Sequence, residues 1–328
     1  MNSHEAVAEL LGAWALDACP PDEELLVEAH LDSCPACAAE ARELREAAAS
    51  IGGVFLRAPA GSADRLLAAA RERRPPATAT LGYARAYAAQ VAALDLLVHD
   101  LAPHEWRRTA AYGELTVHDL LAHLAAVDGL VADALGLPVR PPVRPGEDVA
   151  ARTDAVLRRE RDRPAEETRR SWRAQADAVC RALLTGPEPL TVSLSQPFSL
   201  VDAMTARAYE TWIHGEDIAV ATGRAVVAPL PEHLHPMADL AARMLPRVLT
   251  PRPAAVRLHL TGPGGGTWTI PFAPEPVRPA AELAADVVEF CRLAGARRDP
   301  SQITVEINGD AALAREFLAA VPTLAPVP

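Results

Sequence analysis

A histidine followed closely by two cysteines near the amino terminus constrains this chain most. His30, Cys34 and Cys37 place one imidazole and two thiols within eight residues. A histidine at the end of one helix and a Cys-x-x-Cys pair at the start of the next can converge on a single tetrahedral metal ion. Thiolate and imidazole ligands together favour Zn²⁺. The spacing therefore predicts a small zinc domain in which the metal joins short helices.

A closed structural zinc site needs a fourth ligand. His4, on the first predicted helix, is the favoured candidate, and Cys19, at the carboxyl end of that helix, is the alternative. The competing interpretation is a packing or redox role for the cysteine pair. A thioredoxin-like motif is excluded because no βαβ pattern surrounds the two cysteines.

Abundant alanine and leucine, with only 4% aromatic residues, predict a mainly α fold. Residues 1–50 form a small helical domain of three short helices, with Asp22 as the N-cap of the second. Residues 51–80 form a linker that contains one short helix at 62–73. Residues 81–235 form a four-helix bundle, with helices predicted at 83–101, 116–135, 153–185 and 200–222.

The carboxyl-terminal residues 236–328 predict a small α+β domain. Two alternating segments surround a glycine-rich turn and indicate a β-hairpin. This turn lacks the GK[ST] ending of a phosphate-binding loop. The predicted elements are strands at 256–260, 267–270 and 303–307, and helices at 281–293 and 311–320.

Composition and charge exclude several classes of function. The 32 cationic residues, all arginine, face 43 acidic ones, for a formal charge of −11. Such a chain is a poor direct ligand for nucleic acid and is better suited to a basic protein partner. No segment supplies the ~20 apolar residues of a membrane span, and the amino terminus does not resemble a signal peptide. The five cysteines, an odd number, fit a reducing compartment, so we expect a cytoplasmic protein without a membrane partner.

A second set of candidate metal ligands lies in the predicted bundle. Glu210 and His214 are four residues apart and share one helix face, and His123 lies on an earlier helix among apolar neighbours. Two imidazoles and a carboxylate can form an open three-ligand site inside a bundle. Asp119 and Asp217, each about one turn from a histidine, are candidates to support the ligands.

The run AHLDSCPAC, with the upstream histidine, resembles the zinc-binding anti-sigma domain of bacteria over residues 1–50. The resemblance implies zinc on His4, His30, Cys34 and Cys37. It also implies a sigma factor of the extracytoplasmic-function type as partner, with its polymerase-binding surface covered by the helices. Family members that sense disulfide stress carry cysteine at the upstream ligand position. His4 at that position favours a structural zinc over a disulfide switch.

The segments LTVHDLLAHLA and RAYETWIHGEDIAVATGR resemble the mycothiol-dependent maleylpyruvate isomerase family, and the match covers roughly residues 81–328. The resemblance implies a DinB-like bundle that holds a divalent metal, usually zinc, on His123, Glu210 and His214. The metal would bind the thiolate of a small thiol such as mycothiol. An arginine of the α+β domain would lie near the substrate, and Arg297 is the candidate, with Arg298 beside it. The local Gly-Ala-Arg-Arg departs from the family's Gly-Arg.

Two functions from different classes follow. The first is a zinc-binding, anti-sigma-like regulator whose larger part is a sensor that binds a metal and a small-molecule thiol or electrophile. The alternative is a mycothiol-dependent isomerase or thiol transferase. The domain order favours the first, because a zinc anti-sigma domain is normally amino-terminal and followed by a sensory or membrane segment. Whether the chain is an enzyme is left open by the sequence.

Overall fold

The computed structural model describes residues 3–52, 65–67, 76–110, 114–186, 190–274 and 277–325. The chain divides into two compact units, Met1–Arg74 and Pro75–Pro328. Helices dominate both, so the predicted mainly α fold is confirmed. Within the described part of the chain, no helix is both long enough and apolar enough to cross a lipid bilayer.

The first unit contains three helices, as predicted: α1 (Ser3–Ala15), α2 (Pro21–Leu31) and α3 (Pro35–Gly52). Its apolar core is small and consists of Val7, Leu11, Trp14, Ala15, Val27, Cys37 and Ala41. The predicted N-cap Asp22 is wrong, since Pro20 occupies that position and Asp22 lies in the first turn. Proline at the first helical position has no N–H to satisfy, so α2 begins without a side-chain cap.

The predicted helix at 62–73 lies largely outside the described residues, of which 65–67 are helical.

Four helices of the second unit form the predicted bundle. They are α4 (Arg85–His99), α5 (Val117–Ala134), α7 (Ala165–Leu183) and α8 (Leu200–Thr222), and α6 (Val149–Glu160) packs along α5. The single helix predicted at 153–185 is wrong. Pro164 is the N-cap of α7, and the residue before a proline is disfavoured in helical conformation, so the chain breaks there.

Three elements of the second unit lie where no helix or strand was predicted. Strands β1 (Thr191–Ser193) and β2 (Pro197–Ser199) form a short antiparallel hairpin before α8. Helix α9 (Pro231–Met244) follows the bundle and contains Pro236 in its interior. Proline normally weakens a helix there, but the apolar face of α9, which includes Leu234 and Met237, is buried in the core.

A four-stranded sheet completes the second unit. Its strands are β3 (Ala255–Thr261), β4 (Gly266–Pro271), β5 (Ala281–Asp286) and β6 (Val305–Gly309), in the order β4-β3-β5-β6. The β3–β4 pair is the predicted antiparallel hairpin, β5 is parallel to β3, and β6 is antiparallel to β5. Helices α10 (Val287–Ala294) and α11 (Ala311–Ala320) accompany the sheet.

The helix predicted at 281–293 is wrong in its first half. Residues Ala281–Asp286 form the central strand β5, and Asp286 then caps α10 by accepting hydrogen bonds from the backbone of Val288 and Glu289. Ala281, Leu283 and Ala285 are buried while their neighbours are not. Pairing with strands on both sides overrides the helical preference of an alanine-rich segment.

Candidate metal centres

The first candidate centre gathers side chains from all three helices of the first unit. His4 lies in α1, His30 near the end of α2, Cys34 directly before α3 and Cys37 in the first turn of α3. One ligand atom from each lies within 4.8 Å of all the others. His4 Nδ1 is 3.3 Å from the sulfur of Cys37 and 3.6 Å from that of Cys34. The structure therefore brings together the four residues that the sequence singled out.

A tight turn between α2 and α3 sets this geometry. The backbone N–H of Cys34 donates to the carbonyl oxygen of His30 at 2.9 Å, and Ser33 donates to the same oxygen. Pro35 begins α3 immediately afterwards. The histidine and the first cysteine are therefore held close together by local backbone hydrogen bonds.

The surroundings of one cysteine in this cluster favour the thiolate that zinc binds. The pKa of Cys34 falls to about 6, chiefly because the backbone N–H of Cys37 donates to its sulfur, with the Cys37 thiol and His4 as further hydrogen-bond partners. Burial raises the pKa of Cys37. Nε2 of His30 is buried and has no hydrogen-bond partner among the described residues. A zinc ion coordinated by two sulfurs and two imidazoles would satisfy these groups, so the donor set fits.

Cys19, the alternative fourth ligand, lies apart from this cluster. Its sulfur is 3.8 Å from the carbonyl oxygen of Leu10, and burial raises its pKa. The geometry brings His4 to the cluster instead.

The second candidate centre lies between two helices of the bundle. His123 comes from α5, and Glu210 and His214 come from successive turns of α8. Their ligand atoms lie within 4.8 Å of one another. Glu210 Oε1 is 2.8 Å from His123 Nε2 and 3.9 Å from His214 Nε2, and the two rings meet edge to face at 5.3 Å.

The second nitrogen of each imidazole has its own partner. Nδ1 of His123 is 3.1 Å from Thr153 Oγ1 of α6, and Nδ1 of His214 is 3.0 Å from Asp217 Oδ2. Both Nε2 atoms are thereby left facing Glu210. Burial lowers the pKa of His214, which favours the neutral imidazole that a metal requires.

An ionised carboxylate completes this donor set. Burial would raise the pKa of Glu210, but the positive charge of Arg207 and the hydrogen bond with His123 outweigh it and hold the pKa well below its usual range. Arg207 binds Oε2 of Glu210, which leaves Oε1 for the two imidazoles. Two imidazoles and one carboxylate oxygen fit a divalent metal such as Zn²⁺ with an open position.

An ion-pair network behind Glu210 was not predicted from the sequence. Arg207 is completely buried, and its Nε donates to Asp128 Oδ1 at 2.8 Å. Trp172 Nε1 donates to the other oxygen of Asp128 at 3.0 Å. The available signal was Arg207 itself, a charged residue one turn before Glu210 on the same helix face.

Arg297, Arg298 and Asp119 were also predicted to lie near the second candidate centre or to support its ligands. Arg297 donates two hydrogen bonds to Asp217, at 2.6 and 2.8 Å, so it supports the residue that contacts His214. Arg298 instead binds Glu289. Asp119 does not support His123, because its carboxylate forms a capping box with Thr116 at the start of α5.

Comparisons with protein families agree with both sequence resemblances. Residues 5–38 match the family described as "Putative zinc-finger", and residues 87–219 match the "Mycothiol maleylpyruvate isomerase N-terminal domain". Two parts of the chain are thus similar to a zinc finger and to the amino-terminal domain of the mycothiol maleylpyruvate isomerase family, as predicted.

Individual proteins of similar sequence or structure cover about two thirds of the chain. An uncharacterised protein of Mycobacterium tuberculosis, found in strains CDC 1551 and H37Rv, is 27% identical over 227 residues, which are 66% of this chain and 86% of its own length. A crystal structure of the mycothiol-dependent maleylpyruvate isomerase is 16% identical, with a TM-score of 0.48 over 68% of this chain and 91% of that one. A histidine-to-alanine mutant of that enzyme gives 15% identity and the same TM-score.

Proposed function

We propose that this protein is a zinc-dependent anti-sigma factor whose second unit is a metal-containing sensor of a small thiol. The observation that carries the proposal is the convergence of His4, His30, Cys34 and Cys37 in a unit that matches a zinc finger of the anti-sigma type. The partner is a sigma factor of the extracytoplasmic-function type. Binding such a partner places the action of the protein in the cytoplasm.

In the first unit, zinc would be part of the fold. Seven buried apolar residues form the core of three helices, which is little for an independently stable structure. Metal bound by residues from all three helices would contribute folding free energy directly. The surface that recognises the sigma factor would then exist only in the zinc-bound protein.

In the second unit, His123, Glu210 and His214 would hold a divalent metal, most simply zinc. The metal would supply an open coordination position for the thiolate of a low-molecular-weight thiol such as mycothiol or of its adduct. Thr153 and Asp217 fix the two imidazole rings, and Arg207 keeps one carboxylate oxygen away from the metal. These residues orient the ligands.

The two units are linked in function through differential affinity. A thiol or electrophile adduct that binds one conformation of the protein more tightly than another shifts the fraction of molecules that hold the sigma factor. Such a sensor needs no turnover. A catalytic role for Arg297 belongs to the enzyme alternative. In the sensor, the hydrogen bonds from Arg297 to Asp217 support a positioning role.

Binding to purified sigma factors tests this function. Each extracytoplasmic-function-type sigma factor of the source organism is titrated against the full chain, against His30→Ala/Cys34→Ala and against His123→Ala/His214→Ala. We expect one sigma factor to bind the wild type and not to bind His30→Ala/Cys34→Ala. His123→Ala/His214→Ala should still bind it, but thiol should no longer change the affinity. Binding that survives His30→Ala/Cys34→Ala would refute the zinc-dependent mechanism. Mycothiol-dependent turnover of electrophiles that disappears in His214→Ala would favour the enzyme instead.

A further inference from the structure

Helix α2 presents an apolar stripe to solvent. Its exposed positions include Asp22, Leu25, Leu26 and Ala29, which follow the i, i+3, i+4, i+7 spacing of a single helix face. Leu25 is 69% exposed and Leu26 is 52% exposed, whereas Val27 on the other side of the helix is completely buried. Amphipathic helices normally turn such a stripe towards a core. We call Leu25, Leu26 and Ala29 the leucine stripe.

The surroundings of the leucine stripe are strongly acidic. Residues 3–52 contain eleven aspartate and glutamate residues and only two arginines, a formal charge of −9 within a chain of −11. Asp22, Glu23, Glu24 and Glu28 belong to α2 itself. Arg45, one of the two arginines, is stacked over Trp14 and lies 3.6 Å from Asp17. The carboxylates around the stripe therefore outnumber the cations within this segment.

This charge selects among possible occupants of the stripe. A second copy of the chain would bring the same excess of carboxylates to the contact, and like charges placed together are unfavourable. The occupant that fits is a helix whose apolar side chains are flanked by lysine or arginine. Such a helix would bury both leucines and neutralise the carboxylates of α2, which we call the acidic rim.

The first candidate centre takes one of its residues, His30, from the carboxyl end of the same helix. His30 is within one turn of Ala29 and Leu26, and it faces the cluster with His4, Cys34 and Cys37. A metal bound there would fix the carboxyl end of α2 and, with it, the direction in which the stripe faces. Docking on the stripe should therefore depend on zinc even though no stripe residue is a ligand.

We propose that the leucine stripe is the docking site for a basic amphipathic helix of the sigma factor. This inference rests on the proposed function and adds the surface and the chemistry of the contact. Burial of the two leucines provides affinity, and the acidic rim accelerates association and selects for a basic partner.

The test compares two matched variants of the full chain. Leu25→Ser/Leu26→Ser removes the stripe, and Val226→Ser/Val227→Ser removes another adjacent exposed apolar pair, from the second unit. Both leave the core intact, so circular dichroism and zinc content should stay at wild-type values. With the sigma factor that binds the wild type, we expect the stripe variant to lose about tenfold or more in affinity and the control variant to lose none. Glu23→Gln/Glu28→Gln should slow association and flatten its salt dependence.

Several results would overturn the proposal. If the stripe variant binds like the wild type while His30→Ala/Cys34→Ala does not bind, the docking surface lies elsewhere and the proposed function stands. If the wild type binds none of the sigma factors, both fail. A wild-type dimer in sedimentation that becomes monomeric in the stripe variant would make a second copy the occupant. A gain in affinity on Arg71→Gln/Arg73→Gln/Arg74→Gln would indicate that the chain's own segment 57–74 occupies the stripe.

Discussion

Replacing Arg207 with methionine should strongly destabilise the second unit. The substitution retains an apolar stem but leaves Asp128, which is 1% exposed, without its cation, and Glu210 without its anchor. Removing one partner of a buried ion pair costs about 3–5 kcal/mol, because the remaining charge is left in a poorly solvated place. With an m-value near 3 kcal/mol/M, the urea midpoint should fall by ~1–2 M.

Tryptophan fluorescence is the appropriate assay for this change. Four of the five tryptophans, Trp106, Trp172, Trp212 and Trp268, belong to the second unit, so the signal follows its unfolding. Asp128→Asn is the matched second variant, because it removes the charge and keeps an oxygen acceptor for Trp172. The double variant should cost less than the sum of the singles by about 1–3 kcal/mol. A midpoint shift of Arg207→Met below ~0.3 M, or strict additivity of the two changes, would refute this account of the network.

Three further outcomes follow from the structure. Removing zinc with a chelator should expose the amides of residues 3–52 to hydrogen exchange while those of the second unit stay protected, and equal loss in both units would contradict the division of the chain. Glu105, whose pKa is lowered to about 2 by hydrogen bonds from Arg224 and the Ala102 N–H, stabilises the fold above its unfolded pKa of about 4.5, and this stability is lost as pH falls towards 2. Glu105→Gln should therefore flatten the decline of the urea midpoint over that range, and an unchanged slope would disprove it. Thr116→Ala removes the capping box of α5 and should cost about 1 kcal/mol, with no loss meaning that the cap is dispensable.

The first candidate centre was predictable from sequence because most of its geometry is local. His30, Cys34 and Cys37 lie on either side of one turn, whose backbone hydrogen bonds fix their separation. The distant ligand was harder, since His4 and Cys19 both lie near the ends of α1. Only the packing of α1 on α3 decides which of them reaches the cysteines.

The second candidate centre was predictable only along α8. Glu210 and His214 share a face by helical spacing. His123 lies 87 positions before Glu210 and meets it only because the bundle helices pack together. The sequence resemblance supplied that pairing. Nothing comparable pointed to Asp128 as the partner of Arg207, which lies 79 positions later in the chain.

Two of the differences between the predicted and the observed fold have a common cause. Residues Ala281–Asp286 have the composition of a helix, yet their partners in β3 and β6 make them a strand. Helix α9 contains an interior proline and is held by its buried face. In both places, tertiary contacts outweigh the local preference on which sequence analysis depends.

Metal content per chain tests the central claim most directly. The wild-type chain is purified beside His30→Ala/Cys34→Ala and His123→Ala/His214→Ala, and zinc is measured by mass spectrometry against protein concentration. Two zinc ions in the wild type and one in each variant are the predicted result. Zinc that is unaffected by His30→Ala/Cys34→Ala would contradict the claim that the first unit is a zinc domain. A single zinc ion unaffected by His123→Ala/His214→Ala would mean that the bundle is only a scaffold.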